Sequence, residues 1–277
     1  MLAVLVREHP DFHNRRVAYA DKVAVVTGGS KGIGEGCVRV FVAAGARVVF
    51  CARGEKEGKA LEAEANREGP GAATFLRADI SKVEEVERVI DEAARKHGRL
   101  DCLINNAGTH SGHKPIDDFS VQDFRDLLEL NVVSMFAACK RALPHLRKTK
   151  GNIINISSLV AQMGQVEAVT YIATKGAVTA MTKGLAIDEA RHDVRVNSVS
   201  PGNIWTPLWR QAVDHAPDPK KCKADGDAAQ LLGRMGTIEE AGKLCLFIAS
   251  EATFTTGVDH ILSGGAELAY GKKSRKG

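Results

Sequence analysis

From residue 22 onward, the chain alternates short runs of apolar, β-branched residues with longer segments of helical periodicity. Most of the short runs are apolar throughout, which is typical of strands covered by helices on both faces. Strands that alternate with helices pair in parallel. The pattern therefore predicts a doubly wound α/β fold, in which helices flank a seven-stranded parallel sheet. The predicted strands lie at 23–27, 47–51, 73–78, 100–104, 152–157, 195–200 and 258–263.

Three segments depart from this alternation. Residues 1–20 precede the first strand and are expected to form a loosely attached N-terminal extension, and residues 272–277 a solvated basic tail. No repeat or Pro-rich linker divides residues 21–271, so we expect one domain there. Residues 206–235 contain several Pro and Gly residues and have weak periodicity, which suits either a mobile lid or a surface insertion.

Composition narrows the class of protein. Of the 277 residues, 44% are hydrophobic and 26% are charged, which is ordinary for a packed globular chain. The net charge of +4 comes without a basic stripe, so we expect no nucleic-acid partner. The six cysteines form no CxxC pair, which indicates a reducing compartment. We find neither signal-peptide features nor an apolar run long enough for a membrane span, and we expect a cytoplasmic protein.

A glycine-rich turn, TGGSKGIG, follows the first predicted strand directly and opens a helix. Glycines at such a turn let the backbone approach a pyrophosphate, and the helix N-terminus supplies unpaired N–H groups and partial positive charge. The order of strand, turn and helix predicts dinucleotide binding, although a tight turn without a ligand is the alternative. The expected cofactor contacts here are Gly28, Ser30, Lys31, Ile33 and Gly34.

The spacing of this turn resembles the TGxxxGIG motif of the classical short-chain dehydrogenases/reductases, which have a Rossmann fold. The NNAG motif after the fourth predicted strand and the Pro-Gly pair after the sixth agree with the same family. The resemblance covers residues 20–270 and implies hydride transfer between a nicotinamide cofactor and a secondary alcohol or ketone. It also implies cofactor contacts from Asp79, Ile80, Asn105, Asn106, Ala107, Tyr171, Lys175, Pro201, Gly202, Ile204, Thr206 and Leu208.

The end of the second strand bears on the choice of cofactor. In this fold an acidic residue there binds the ribose of NAD, whereas a basic residue suits the 2′-phosphate of NADP. The chain has Cys51, Ala52 and Arg53 at this point, and Lys31 lies in the glycine-rich turn. Because a guanidinium binds phosphate well, NADP(H) is favoured. NAD(H) is the alternative, with both cations solvated. Asp79 either bonds the adenine amino group or caps the following helix.

Tyr171 and Lys175 are four residues apart in a predicted helix, so both side chains lie on one face. A phenol with a pKa near ~10 is a poor base at neutral pH, but a nearby ammonium favours phenolate and lowers that pKa. The resemblance identifies Tyr171 as the proton-transfer residue, Ser158 as the group that binds the substrate oxygen, and Lys175 as a ribose ligand. It implies that Asn131 completes the catalytic set by holding a water through its backbone carbonyl.

The stretch PGNIWTPLW at 201–209, with residues 176–183 and 263–271, resembles the type 14 group of 17β-hydroxysteroid dehydrogenases. This implies a homotetramer and an apolar secondary alcohol such as a 17β-hydroxysteroid, although some relatives oxidise sugars. That group has an acidic residue where this chain has Ala52. The expected substrate contacts are His110, Ser158, Gln165, Tyr171, Trp205 and Trp209, with Leu208 and Met163 among the apolar walls.

Several alternatives remain open. A reductase of 3-oxoacyl thioesters or sugars would keep every catalytic residue, and a non-enzymatic nucleotide-binding scaffold could share the fold. Both tryptophans could instead pack at a subunit contact. His110 and His113 lack a third ligand nearby in the sequence, so we expect no metal site.

Overall fold

The computed structural model describes residues 19–268, so most of the expected N-terminal extension and all of the basic tail lie outside the described residues. A parallel sheet with the order β3-β2-β1-β4-β5-β6-β7 forms the centre. Its strands are β1 (Val23–Thr27), β2 (Arg47–Ala52), β3 (Ala72–Arg77), β4 (Cys102–Asn105), β5 (Asn152–Ile156), β6 (Arg195–Pro201) and β7 (Asp259–Leu262). The seven predicted strands and the doubly wound Rossmann fold are thus confirmed, with strand ends that shift by at most two residues.

Helices cover both faces of this sheet. Residues 129–133 form a π-helical turn between two α-helices. The α-helices are α1 (Gly32–Ala43), α2 (Glu55–Glu68), α3 (Val83–His97), α4 (Val121–Leu128), α5 (Ser134–Thr149), α6 (Val160–Met163), α7 (Val169–Glu189), α8 (Pro207–Asp214), α9 (Pro219–Ala228) and α10 (Ile238–Ser250).

The strand β1 shows why the apolar runs do not alternate with polar residues. All five of its residues are buried. Ala24 and Val26 join a hydrophobic cluster with α1 and α10, whereas Val23 and Val25 join a second cluster with α3 and α5. Because successive side chains of a strand point to opposite faces, a sheet covered on both sides needs apolar residues at every position.

The order of strands reverses between β1 and β4, since β2 and β3 lie on one side of β1 and the later strands on the other. In open α/β sheets, ligands bind in the crevice at the carboxyl ends of the strands at this point. The topology places the glycine-rich turn, the NNAG motif and Ser158 at the same edge of the sheet.

Residues 206–235 contain two helices, where the sequence pattern predicted weak periodicity only. Each helix is short and begins with a proline after a capping side chain, Thr206 before α8 and Asp218 before α9. The segment is closed at its base, because the Trp205 N–H donates to the Gly236 carbonyl at 2.8 Å and the Gly236 N–H donates to Asn203 at 2.9 Å. No helix within residues 19–268 is long and apolar enough to cross a membrane.

Candidate active site

The glycine-rich turn is packed too tightly for side chains at two of its glycines. A Cβ on Gly34 would lie 2.3 Å from the Gly28 carbonyl oxygen, and a Cβ on Gly28 would lie 2.9 Å from Ala107 Cα. Gly28 also has a φ of 65°, a left-handed conformation that glycine adopts without strain. Lys31 precedes α1 in an extended conformation, and no side chain caps the helix. The first N–H groups of α1 are therefore left to an anion or to water.

Thr27, which the sequence argument did not single out, joins this turn to the NNAG motif. Its hydroxyl accepts from the backbone N–H groups of Asn106 and Ala107, both at 3.1 Å. The Asn106 side chain donates in return to the carbonyls of Thr27 at 2.9 Å and Gly28 at 3.0 Å. A hydroxyl at the end of an otherwise apolar strand was the available signal. The four bonds fix the floor of the crevice.

Asn105, the first asparagine of the NNAG motif, ends β4 at the carboxyl edge of the sheet. Its side chain is fully buried within the sheet and donates to Asn155 Oδ1 at 2.9 Å and to Cys139 Sγ at 3.2 Å. Because neighbouring residues of a strand point to opposite faces, Asn105 and Asn106 cannot both present their side chains to one ligand. The Asn105 side chain is thus taken up inside the sheet, and the expected cofactor contact of Asn105 stays a prediction.

Arg53 and Lys31 are exposed at the edge of the crevice. Within residues 19–268, the structure gives Arg53 neither a hydrogen bond nor an ion pair. Asp79 does not cap α3, whose N-cap is Lys82, and instead accepts from the Ser81 N–H at 3.1 Å and hydroxyl at 2.9 Å. Burial tends to raise the pKa of Asp79, but the Ser81 bonds and the charges of Arg53 and Lys82 outweigh it and lower the pKa.

Ser158, Tyr171 and Lys175 meet at the carboxyl end of β5. Ser158 follows this strand, and its side chain lies near enough to the Tyr171 phenol to lower the pKa of that group. Tyr171 and Lys175 lie one turn apart on α7, as the spacing predicted. The Lys175 Nζ donates to the Ile156 carbonyl at 2.9 Å and lies 5.7 Å from the centre of the Tyr171 ring. Ser157 donates to the Lys175 carbonyl at 2.9 Å and so fixes α7 against β5.

The pKa values of these groups differ from the simple expectation that Lys175 makes Tyr171 more acidic. Burial raises the pKa of Tyr171, and only the nearby Ser158 side chain acts in the opposite direction. Burial also lowers the pKa of Lys175 to about 8. The physical reason is that both groups lie in a desolvated site, and the Lys175 ammonium is bonded to a backbone carbonyl and not to the phenol.

Asn131 lies in the π-helical turn and is fully buried. Its side-chain oxygen accepts from the Thr109 N–H at 2.9 Å, and its amide donates to the Thr109 carbonyl at 2.9 Å and to Thr174 Oγ1 at 3.1 Å. π-helical turns occur often at functional sites. The side chain thus connects the loop after β4 to α7, while the role expected of the Asn131 carbonyl stays a prediction.

His110 and Gln165 form the polar mouth of the crevice. The His110 ring lies over Tyr171 with ring centres 4.4 Å apart, and its Nε2 lies 3.5 Å from Gln165 Oε1. The Gly112 N–H donates to His110 Nδ1 at 3.0 Å, which leaves the proton of the neutral ring on Nε2. Burial, with a smaller contribution from His113, lowers the pKa of His110 against the opposing effect of Gln165. His110 therefore presents a neutral N–H donor beside the Tyr171 phenol.

The expected apolar walls are only partly assembled. Trp209 packs against Gly226 of α9, and two cations lie over the Trp205 ring, Arg210 at 5.9 Å and Lys223 at 5.2 Å from its centre. Leu208 and Met163 have exposed side chains. Neither tryptophan therefore stands as a free apolar wall.

The residues expected to contact the cofactor at the end of β6 and beyond, and Ile80 after β3, differ in burial and in packing. Pro201 ends β6 and is buried, like Ile204 and Ile80. Gly202 packs against Ser263, and Thr206 packs against Gly32 at the start of α1. Thr206 thus joins α8 to the glycine-rich turn.

Within the described part of the chain, no group of three His, Cys, Asp or Glu residues could hold a metal ion.

A family model described as short chain dehydrogenase matches residues 22–217, a span that contains the glycine-rich turn, the NNAG motif, Ser158 and the Tyr171–Lys175 pair. The chain belongs to the short-chain dehydrogenase family. It is 53% identical to an L-fucose dehydrogenase from Bos taurus over 256 residues, which is 92% of this chain and 93% of that protein.

More distant short-chain dehydrogenases act on other alcohols. A 3beta-hydroxysteroid dehydrogenase 1 from Eggerthella lenta is 34% identical over 90% of this chain and 95% of its own length. The solved structure of a short-chain type dehydrogenase/reductase from Mycobacterium ulcerans is 29% identical, with a TM-score of 0.83 and coverage of 90% of each chain. The chain is therefore an NAD(P)-dependent oxidoreductase of alcohols. These comparisons do not support the narrower resemblance to the type 14 hydroxysteroid dehydrogenases.

Proposed function

We propose that this protein oxidises a secondary hydroxyl group of a small sugar such as L-fucose, with Tyr171 as the proton acceptor. The observation that carries the proposal is the meeting of Ser158, Tyr171 and Lys175 beside the glycine-rich turn. The substrate class is supported by the polar mouth of His110 and Gln165, because a sugar has several hydroxyl groups to bind. It is also supported by four relatives at 50–53% identity that are named L-fucose dehydrogenase.

The residues of the crevice fit a nicotinamide dinucleotide. Because the crowded positions of the turn are glycines, a ligand can approach the backbone closely there. The uncapped start of α1 leaves backbone N–H donors for a pyrophosphate. Tyr171 and Lys175 would hold the nicotinamide ribose, and Ile204 and Thr206 the carboxamide. The cofactor, when bound, supplies the acceptor for the hydride of the substrate carbon.

The protein groups carry the proton chemistry. The Ser158 hydroxyl donates a hydrogen bond to the substrate oxygen and stabilises the negative charge that develops on it. The Tyr171 phenolate takes the hydroxyl proton during oxidation, and the phenol returns it during reduction. Because burial raises the pKa of Tyr171, little phenolate forms at neutral pH without a further cation. Lys175, with a pKa of about 8, is still mostly protonated at pH 7 and can supply that charge from the same turn of α7.

The proposal includes a preference for NADP(H). The second strand ends at Ala52 with no acidic residue, and Arg53 is exposed and without an ion pair within residues 19–268. A planar guanidinium in this state is available for a 2′-phosphate. NAD(H) remains the alternative cofactor, with Arg53 and Lys31 in solvent.

A steroid or another cyclic alcohol is the second candidate substrate. The relative named 3beta-hydroxysteroid dehydrogenase 1 favours it, as do the exposed side chains of Met163 and Leu208.

The proposed function includes the homotetramer implied by the family resemblance. A light-scattering measurement of the mass of the purified protein tests this oligomeric state.

The decisive experiment measures reduced-cofactor formation with L-fucose, cyclopentanol and estradiol, each with NADP and with NAD. We expect L-fucose to have the highest kcat/KM, and we expect Tyr171→Phe to lower its turnover by ~10²-fold or more even at saturating cofactor. Tyr19→Phe is the matched control, because Tyr19 contacts Asn152 at the opposite edge of the sheet. A higher kcat/KM for estradiol would replace the sugar by the steroid, and full activity in Tyr171→Phe would refute the mechanism.

A further inference from the structure

Thr174 is a fully buried hydroxyl residue between the two residues that carry the proton chemistry. Its hydroxyl donates to the Tyr171 carbonyl at 2.8 Å and accepts from the Asn131 amide at 3.1 Å. The Tyr171 carbonyl is also the one that the regular helix pattern pairs with the Lys175 N–H. One side chain thus links the π-helical turn to the turn of α7 that holds both Tyr171 and Lys175.

Within residues 19–268, Thr174 is the only side chain that is hydrogen-bonded to the Asn131 side chain. Its oxygen and one amide hydrogen are both bonded to the Thr109 backbone. A Cβ on Gly108 would lie 3.0 Å from Asn131 Oδ1 and 3.7 Å from Lys175 Nζ, so the loop after β4 is packed directly against both side chains. Loss of the Thr174 hydroxyl would leave a buried N–H unpaired in the middle of this packing.

We propose that Thr174 is a positioning residue, which sets the distance between the Lys175 ammonium and the Tyr171 phenol by tying α7 to Asn131. The inference rests on the proposed role of Tyr171 as proton acceptor. The ammonium now lies 5.7 Å from the centre of the phenol ring. An ammonium favours phenolate more strongly at shorter range, so under the proposed role of Lys175 a movement away raises the pKa of Tyr171.

Thr182 offers a matched control on the same helix. It is also buried, its hydroxyl donates to the Val178 carbonyl at 2.9 Å, and it accepts from the Asn155 amide at 2.9 Å. Each hydroxyl thus donates to a carbonyl of the preceding turn and accepts from an asparagine amide, but Thr182 lies two turns further along α7. If the hydroxyl only stabilises the helix, its removal should have the same effect on the pKa of Tyr171 at both positions. If Thr174 positions the reacting groups, only its own replacement should change that pKa.

The test follows the phenol directly by nuclear magnetic resonance. The chain has three tyrosines, so labelling the tyrosine Cζ with carbon-13 gives few signals, and Tyr171→Phe assigns the one of interest. We expect Thr174→Val to raise the pKa of Tyr171 by about one unit, a tenfold smaller phenolate fraction at fixed pH. Thr174→Ser should restore the wild-type value, and Thr182→Val should leave it unchanged.

The same variants are then compared in turnover. Thr174→Val should lower kcat for alcohol oxidation about tenfold at neutral pH, with the loss recovered as pH rises and KM unchanged. Thr174→Ala is the second hydroxyl-free variant should the valine variant not fold, and it should show the same shift. Equal shifts for Thr174→Val and Thr182→Val, or none for either, would overturn the inference. The resonance titration needs no turnover, so it decides the role of Thr174 even if no alcohol proves to be a substrate.

Discussion

Lys175 is a cationic side chain in a site with little access to solvent. Its side chain is buried, and burial lowers its pKa from an ordinary value of about 10.4 to about 8. Replacement by Met keeps an unbranched chain of similar length and removes the charge. We therefore expect Lys175→Met to change how the stability of the protein depends on pH.

The direction follows from proton binding. Between about pH 8 and pH 10.4, the unfolded chain holds a proton on Lys175 that the folded chain has released, so the unfolding free energy of the wild type rises with pH. Below about pH 8, the folded protein bears the full cost of the buried ammonium. From the two pKa values, the wild type should gain about 2.5 kcal/mol between pH 7 and pH 10 relative to Lys175→Met.

Urea unfolding of both proteins at pH 7, 8, 9 and 10 measures this difference. The lost bond to the Ile156 carbonyl adds an offset that does not depend on pH, so the slope and not the absolute difference is the test. Lys183→Met is the control, because Lys183 lies on the same helix with an exposed side chain and should show no such slope. A difference between wild type and Lys175→Met that stays flat across this range would show that Lys175 is not desolvated.

Two further predictions concern the cofactor crevice. Arg53→Ala should weaken NADPH binding about tenfold or more while NADH binding changes little, as measured by fluorescence titration; equal losses would contradict a 2′-phosphate contact. Gly34→Ala should abolish cofactor binding, because its Cβ would lie 2.3 Å from the Gly28 carbonyl oxygen. Gly184→Ala has no atom within 4 Å of the new Cβ and should keep binding while stabilising α7 by up to ~1 kcal/mol.

Much of the site could be predicted from local sequence. The fully buried run of β1 and the glycine-rich turn after it follow from short-range sterics and from burial on both faces of a sheet. The four-residue spacing of Tyr171 and Lys175 places them on one helix face wherever that helix lies. The role of Thr27 could also have been noticed, because it is the one hydroxyl residue of an otherwise apolar strand.

Contacts between distant segments could not be predicted in this way. His110 covers the Tyr171 ring only because the loop after β4 and the start of α7, about sixty residues apart in sequence, meet at the same sheet edge. Asn105 and Asn106 look equivalent in the motif, yet the strand directs the first into the core and the second to the turn. The two helices of residues 206–235 are stabilised by a closed base at Gly236 that their own periodicity does not indicate.

The positions of the strands along the chain, the glycine-rich turn and the shared helix face of Tyr171 and Lys175 thus follow from the sequence by itself, because each depends on residues that are neighbours along the chain. The proton affinities of Tyr171 and Lys175, and the choice of partner for Asn131, were decided only by the tertiary structure. Desolvation and buried hydrogen bonds depend on every atom packed around a group, and most of those atoms come from elsewhere in the chain.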